Sequence, residues 1–211
     1  IGGTGRMPAA RSSGILAPRW CGGRRKLLAM QVPPFSLSEQ IQELGAALDQ
    51  AVLEVLRSGQ YIGGATISRF ETDFATACGV PHAIGCNSGT DALILALRGL
   101  GIGPGDEVIT ASFSFFATAE AISAVGATPV FADVEEGTFN LDPEKLAAAI
   151  TPRTKGIIVV HLFGQPARMD EIMALARQHN LFVIEDCAQA VGARYRGTPV
   201  GTLGDVGTFS F

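Results

Sequence analysis

The sequence predicts an α/β fold in three layers, with a mainly parallel sheet that carries helices on both faces. Short strand patterns alternate with helical patterns from about residue 30 onward, which is typical of a parallel sheet. One predicted strand, residues 156–161, is almost purely apolar, as expected of a strand buried on both faces. The chain has 211 residues, of which 47% are hydrophobic, so it can bury a substantial core.

Charge is unevenly distributed along the chain. It has 16 basic and 20 acidic residues, and six of the basic ones but no acidic one lie in residues 1–30. The acidic remainder does not indicate a nucleic-acid-binding surface. A basic head resembles a transit peptide or a basic arm, since both lack acids. The chain begins with Ile1 and the pattern of an ordered domain starts only near Met30, so we expect residues 1–29 to be a disordered or non-native leader.

Several classes of protein are disfavoured by composition. No apolar run reaches the roughly 18 residues that a membrane span requires. The four cysteines show no C-x-x-C spacing and the three histidines are scattered, so the sequence supports neither a zinc site nor a disulfide framework. We therefore expect no metal and no membrane, and we expect free cysteines in a reducing cytoplasm.

The first predicted elements are helices. A capping-box pattern at Ser36 and Glu39 precedes apolar residues at helical spacing, which predicts one helix of about 20 residues ending at Ser58. A glycine-rich connection, residues 59–64, follows. A second helix is predicted to present Ile67 and Phe74 on one face and to end at Gly79.

A strand, a tight turn and a helix follow at residues 82–86, 87–91 and 92–100. Free backbone N–H groups and the positive end of the helix dipole would point into this turn, which makes it a natural phosphate-binding loop. An ordinary helix cap by Ser88 or Thr90 explains the same residues equally well.

In the middle of the chain, the sequence pattern predicts strands at residues 107–110 and 128–134 and a helix at residues 117–125 between them. The aromatic-rich segment 112–116 after the first of these strands could lay a ring against a flat cofactor, although such rings more often belong to a core. Asp142 is predicted to cap a helix that runs to Ile150. A crossover helix follows the strand at 156–161 and occupies residues 170–179.

The most informative stretch begins at Val183 and delivers Asp186 at the carboxyl end of a buried parallel strand. Open α/β sheets bind ligands at that edge. A carboxylate in an apolar setting is costly without a cationic partner, and the protonated ring nitrogen of a pyridine cofactor is one suitable partner. A further strand is predicted at residues 206–211.

Taken together, these segments resemble the DegT/StrS-type sugar aminotransferases, which are fold type I enzymes dependent on pyridoxal 5′-phosphate. The resemblance runs from about Met30 to Phe211. It implies an aspartate-aminotransferase-like large domain that is incomplete here. Its motifs are Asn87–Leu93, Gly103–Ile109, Val160–Pro166, Glu185–Ala190 and Phe209–Phe211.

The resemblance also implies roles for individual residues at the two ends of the cofactor. Asp186 would pair with the protonated pyridine nitrogen and so keep the ring able to accept electrons. The loop of Ser88, Gly89 and Thr90 would hold the phosphate through backbone N–H groups and a hydroxyl. Ser210 would add a hydroxyl to the phosphate from the opposite side.

The cofactor ring would have two further neighbours. Gln189 would lie beside the ring near its hydroxyl, and Phe115 would lie over the pyridine. Phe113 and Phe116 would then be core or near-site residues, and residues 59–63 would form a loop at the edge of the substrate site.

One residue of the family pattern is missing. Enzymes of this type form a Schiff base with a lysine that also moves protons, and in the family it follows the Phe-Ser-Phe segment by a few residues. The three lysines of this chain are Lys26, Lys145 and Lys155, and none of them suits that role. We therefore expect the chain to be a fragment, cut before the catalytic lysine and inactive as it stands.

The leading hypothesis is an aminotransferase that moves an amino group, from glutamate, to a nucleotide-linked keto sugar, as a cytoplasmic homodimer when full length. A sugar dehydratase of the same fold, with histidine at the lysine position, is an alternative. A non-catalytic or regulatory relative is another. A nucleotide-dependent oxidoreductase is disfavoured, because the spacing of Gly101, Gly103 and Gly105 differs from G-x-G-x-x-G and comes before a strand.

Overall fold

The computed structural model describes residue 33 and residues 36–211, so the predicted leader lies outside the described residues. The chain divides into two compact units, residues 1–53 and residues 54–211. Among the described residues, no helix combines the length and the hydrophobicity that a membrane crossing requires.

The prediction of one long first helix is wrong. Helix α1 (Ser38–Leu44) ends at Gly45, and helix α2 (Ala46–Ser58) begins directly after it. Gly45 has a φ of 48°, a left-handed backbone conformation that interrupts the helical hydrogen bonds. The predicted capping box does not form as expected, because the N-cap of α1 is Leu37, and Ser36 Oγ accepts the N–H of Ser38, at 3.3 Å, and not that of Glu39.

Five strands of the second unit form one parallel sheet in the order β2-β1-β3-β4-β7. These strands are β1 (Glu107–Ala111), β2 (Thr128–Ala132), β3 (Thr154–Val160), β4 (Phe182–Asp186) and β7 (Val206–Thr208). A short antiparallel hairpin, β5 (Arg194–Tyr195) and β6 (Thr198–Pro199), lies in the connection between β4 and β7. The mainly parallel sheet is therefore confirmed.

Helices cover both faces of this sheet and complete the three layers. They are α4 (Gly89–Gly99), α5 (Phe116–Ala124), α6 (Pro143–Ala149) and α7 (Met169–His179), whereas α3 (Gly64–Cys78) packs through Phe74 against Phe209, after the last strand. On one face, Leu97 of α4 and Ile122 of α5 pack in one cluster with Ile184 of β4. On the other face, Leu146 of α6 packs in a cluster with Ile172 of α7. Alternate residues of β3 and β4 pack in the two clusters, which explains why residues 157–159 of β3 and residues 183–184 of β4 are all apolar.

One predicted strand does not form. Residues 82–86 have no strand pairing, and the side chain of Ile84 is 85% exposed. The Gly85 N–H donates a hydrogen bond to Glu71 Oε1 and not to a neighbouring strand. A short alternating pattern predicts an extended segment, but only a partner strand turns that segment into part of a sheet.

The parallel register brings the strand ends together. Asp186 at the end of β4 lies opposite Val160 at the end of β3 and opposite Thr208 at the end of β7. Because all five strands run the same way, the segments that follow them meet at one edge of the sheet.

A buried carboxylate, Glu185, ties β4 to the loop that leads into β7. Its Oε1 accepts hydrogen bonds from the N–H groups of Leu203 and Gly204, both at 2.7 Å, and its Oε2 accepts one from Gly201 N–H at 2.8 Å. His161 Nε2 lies 3.0 Å from Oε2, and His161 Nδ1 accepts the Ala167 N–H, so Nε2 carries the proton and donates it.

These donors decide the ionisation of a side chain that is 0% exposed. Burial favours the neutral acid, but the bonds from His161, Gly204 and Gly201 together hold the pKa of Glu185 below its ordinary value. The four hydrogen bonds therefore favour the ionised carboxylate of Glu185 and stabilise the fold around it.

We expect Glu185→Gln to lower the free energy of unfolding by about 3 kcal/mol at neutral pH, because an amide NH2 would face N–H donors that lose their acceptor. The lowered pKa of Glu185 means that its stabilisation is present above the ordinary glutamate pKa and is lost as pH falls through the folded-state value. The difference between the two proteins should shrink accordingly in urea unfolding at decreasing pH. Exposed Glu136, changed to Gln, is the control, and equal stability of the two variants at neutral pH would contradict the role given to Glu185.

Candidate active site

A cleft opens at the carboxyl edge of the sheet. Its walls come from the N-terminus of α4, the segment between β1 and α5, the ends of β3 and β4, and the residues after β7. All seven residues predicted to contact a cofactor line this one cleft. The lining residues are Ser88, Gly89, Thr90, Leu93, Ser114, Phe115, Ala117, Val160, Leu162, Asp186, Ala188, Gln189 and Ser210.

Asp186 is a buried acid at the floor of the cleft. Its side chain is 7% exposed and accepts two hydrogen bonds, from the Thr118 hydroxyl to Oδ2 at 3.1 Å and from the Ala188 N–H to Oδ1 at 3.2 Å. Burial raises the pKa of Asp186, although the bonds from Ala188 and Thr118 act in the opposite direction. No residue that lines the cleft in the described part of the chain is basic. His161, whose charge would also lower the pKa of Asp186, does not line the cleft and is hydrogen-bonded to Glu185.

The N-terminus of α4 forms another wall of the cleft. Ser88 is the N-cap, and its Oγ accepts the Asp91 N–H at 3.1 Å. The interpretation of Ser88 as a helix cap is therefore correct, and it is compatible with a phosphate site. The N–H groups of Gly89 and Thr90 come first in the helix and have no intrahelical acceptor, which leaves them available to an anion.

Gly89 lies against Ser210 across the cleft. A Cβ atom added to Gly89 would lie 2.9 Å from Ser210 Cβ and 3.3 Å from Ser210 Oγ. Only glycine lets the start of α4 and the residue after β7 approach this closely.

The aromatic residues between β1 and α5 are divided between two positions. Phe115 lines the cleft and its side chain is 75% exposed, which leaves a ring face free for a flat ligand. Phe113 and Phe116 do not line the cleft, and both are exposed, so of the two alternatives the core is excluded and a position near the site stays a prediction. The ring of Phe113 instead lies 5.7 Å from the ring of Phe139, centroid to centroid.

Gln189 is held by the chain that follows β3. Its Oε1 accepts the Phe163 N–H at 2.8 Å, and Phe163 has a φ of 55°. The amide NH2 of Gln189 is thereby left as the group that can donate to a ligand in the cleft. The left-handed backbone of Phe163 is unusual for a bulky residue and is stabilised by this bond.

The described lysines stay away from the cleft. Lys145 is exposed on α6, and Lys155 lies at the start of β3, at the amino edge of the sheet. Lys26 lies outside the described residues. Residues 59–63, predicted as a substrate-edge loop, are not among the lining residues either, and that role remains a prediction.

The sequence analysis did not find two hydroxyl residues at the site, Thr118 and Ser114, or a buried cluster of three side chains beside it. Thr118 contacts Asp186, and Ser114 lines the cleft, but isolated hydroxyl residues carry no signal in a single sequence. His161, Glu185 and Cys187 bring potential metal ligands within 4.8 Å of one another. The histidine and glutamate atoms are already hydrogen-bonded as described above. Burial, together with the charges of Glu185 and Asp186, raises the pKa of the Cys187 thiol, which disfavours the thiolate that a metal ion would need.

Comparison with known proteins gives three close similarities. The chain is 50% identical over 181 residues to a dTDP-3-amino-3,4,6-trideoxy-alpha-D-glucose transaminase from Streptomyces venezuelae, covering 86% of this chain and 48% of that protein. It is 50% identical over 182 residues to a pleiotropic regulatory protein from Geobacillus stearothermophilus, covering 86% and 49%. A crystal structure of a DegT DnrJ EryC1 StrS aminotransferase from Brucella abortus superposes with a TM-score of 0.82 at 40% identity, covering 86% of this chain and 50% of that one.

The chain thus spans about half the length of the relatives it matches. Residues 42–211 match the profile of the DegT/DnrJ/EryC1/StrS aminotransferase family. This match covers most of the chain and includes every residue of the cleft, so the chain belongs to the DegT/DnrJ/EryC1/StrS aminotransferase family.

Proposed function

We propose that this chain supplies the cofactor cleft of a pyridoxal 5′-phosphate-dependent aminotransferase, which transfers an amino group from glutamate to a nucleotide-linked keto sugar. One observation carries the proposal. A buried acid without a protein cation, Asp186, lines the same cleft as the unbonded N–H groups at the start of α4. A ligand that is cationic at one end and anionic at the other suits both groups at once.

The residues present fit this cofactor. Asp186 would bind the protonated ring nitrogen, and Gly89, Thr90 and Ser210 would bind the phosphate. Phe115 would pack against the ring, which is the use that its exposure favours. Gln189 would donate its amide NH2 to the ring hydroxyl. The close approach of Gly89 and Ser210 leaves no room there for a side chain at position 89.

When bound, pyridoxal 5′-phosphate supplies an electron sink for bond breaking at the amine-bearing carbon of the substrate. The contribution of Asp186 is to keep a proton on the ring nitrogen, because a buried carboxylate stabilises a cation placed against it. The Thr118 hydroxyl and the Ala188 N–H hold both oxygens of that carboxylate in place. The proposal includes a lysine that the full-length protein supplies after Phe211, since neither described lysine lines the cleft.

The substrate class is supported by the names of relatives. The Streptomyces venezuelae relative is named as a transaminase of a dTDP-linked amino sugar. At 50% identity over most of this chain, a related nucleotide-linked keto sugar is the natural acceptor to test. We further propose a cytoplasmic homodimer, which the free cysteines Cys78, Cys86 and Cys187 and the exposed rings of Phe113 and Phe116 support.

A regulatory role is the second candidate. It is favoured by the name of the Geobacillus stearothermophilus relative, which is as similar to this chain as the transaminase. A regulatory protein could retain the cleft and bind the cofactor without turnover. Turnover, and not cofactor binding, therefore distinguishes the two candidates.

The whole-protein activity can be measured directly. We expect full-length protein to convert glutamate and a nucleotide-linked keto sugar into 2-oxoglutarate and the amino sugar nucleotide, followed by mass spectrometry of both products. Binding of pyridoxal 5′-phosphate without any product would support the regulatory candidate. Loss of the sugar hydroxyl without gain of nitrogen, with histidine at the lysine position, would instead identify a dehydratase.

The Asp186→Asn variant separates the effect of the buried acid on stability from its effect on cofactor binding. Asn keeps the Ala188 bond through Oδ1, and Nδ2 can donate to the Thr118 hydroxyl. Because the pKa of Asp186 is raised, the aspartate favours folding below its ordinary pKa and loses that advantage as pH rises through the folded-state value. We therefore expect the variant without cofactor to melt higher than wild type at neutral pH, with the difference vanishing below the ordinary aspartate pKa.

The same variant should bind pyridoxal 5′-phosphate at least about tenfold more weakly, a loss of about 1.4 kcal/mol. Equilibrium dialysis measures the dissociation constant, and thermal melts measure stability. An Asn variant that binds the cofactor as tightly as wild type would remove Asp186 from the proposed site.

Gly89→Ala tests the close approach at the phosphate end. The added Cβ would push the start of α4 away from Ser210, so we expect the dissociation constant of pyridoxal 5′-phosphate to rise about tenfold or more. Gly99→Ala is a matched control, because it changes a glycine of the same helix where a Cβ meets nothing within 4 Å. Equal binding by the two variants would argue against a phosphate at this end of the cleft.

A further inference from the structure

One hydroxyl in the cleft has no explanation in the fold. Ser114 Oγ is removed from solvent and has no hydrogen-bond partner, and among the described residues it is the one buried side-chain polar atom in that state. A buried hydroxyl without a partner destabilises a protein, whereas an alanine at the same position would not.

The other hydroxyls of this segment are satisfied. Ser112 Oγ donates to Asp133 Oδ1 at 3.3 Å, and Thr118 Oγ1 donates to Asp186 Oδ2 at 3.1 Å. The backbone around Ser114 offers it nothing, since the N-cap of α5 is Phe115 and no side chain caps that helix. The unpartnered hydroxyl is therefore a local property of Ser114 and not of the whole segment.

The position of Ser114 connects the destabilisation by its unpartnered hydroxyl to ligand binding. Ser114 lines the cleft together with Asp186 and its chain neighbour Phe115. Its Oγ is shielded from solvent in the empty protein, and rotation about the Cα–Cβ bond is the motion that would turn it toward a ligand atom in the cleft and satisfy it. A serine hydroxyl both donates and accepts, so it can serve either kind of ligand atom.

We propose that Ser114 is a cofactor-binding residue, whose hydroxyl forms a direct hydrogen bond with a polar atom of pyridoxal 5′-phosphate held in this cleft. The inference rests on the proposed cofactor and adds to it a contact that neither Asp186 nor the α4 loop provides. It also gives Ser114 an energetic signature. Its hydroxyl costs stability in the empty protein and contributes affinity in the loaded one, whereas a structural hydroxyl contributes stability in both.

The test compares Ser114→Ala with Ser112→Ala, in the absence of substrate. We expect Ser114→Ala to melt at the same temperature as wild type or higher without cofactor. We also expect it to bind pyridoxal 5′-phosphate about five- to tenfold more weakly in equilibrium dialysis. Ser112→Ala removes a hydroxyl from the same segment that already has a protein partner, and it should leave cofactor binding unchanged.

Two outcomes would overturn the inference. A dissociation constant for Ser114→Ala within twofold of wild type would show that the hydroxyl does not contact the cofactor. A lower melting temperature without cofactor would show that the hydroxyl has a structural partner.

Repeating the dialysis with pyridoxal locates the contact. A Ser114→Ala defect that persists with pyridoxal places the contact on the ring, and a defect that disappears places it on the phosphate. Failure of wild type itself to bind pyridoxal 5′-phosphate would instead reject the proposed cofactor. The two proposals can therefore fail separately.

Discussion

The geometry of the site depends on the buried carboxylate of Glu185. In β4, consecutive side chains point to opposite faces of the sheet, so fixing Glu185 on one face also fixes Asp186 on the other. Glu185 receives N–H groups from residues 201–204 and the imidazole N–H of His161. One side chain thereby connects β4, the exit of β3 and the loop that leads to β7, and these are the elements that surround the floor of the cleft.

The two adjacent acids of β4 are in opposite electrostatic states. Hydrogen bonds from His161, Gly204 and Gly201 lower the pKa of Glu185 against its burial, whereas burial outweighs the bonds from Ala188 and Thr118 and raises the pKa of Asp186. Glu185 is therefore satisfied within the chain, and Asp186 is satisfied only by a cation that the described chain does not place beside it. Stability lost at a buried acid and recovered by ligand binding is a common feature of functional sites. Ser114 resembles Asp186 in this respect although it is uncharged, because its hydroxyl is buried without a hydrogen-bond partner in the described part of the chain.

Close backbone approach is the second requirement of the site. Gly89 meets Ser210 across the cleft, and a Cβ on Gly207 would collide with the backbone of Gly201. Gly201 itself lies against the ring of Phe209, which in turn contacts Phe74 of α3 at 5.0 Å between centroids. The glycines therefore let the chain after β4 fold tightly back on the sheet, and this brings the residues after β7 to the start of α4.

The sequence by itself predicted the layered α/β fold with a mainly parallel sheet, and seven of the residues that line the cleft. Apolar periodicity, glycine-rich turns and a carboxylate after a buried strand are local patterns with direct physical causes, and they predicted the fold, Asp186 and the turn before α4. Phe115, Gln189 and Ser210 were implied only by the resemblance to the family. The sequence could not determine that Gly45 divides the first helix or that residues 82–86 lack a strand, because the first depends on a backbone conformation and the second on a pairing partner. Only the tertiary structure decided which hydroxyls have partners. The roles of Glu185, Thr118 and Ser114 depend on donors and acceptors that lie far apart in the sequence, and only the packed sheet brings those groups within hydrogen-bonding distance or leaves one of them alone.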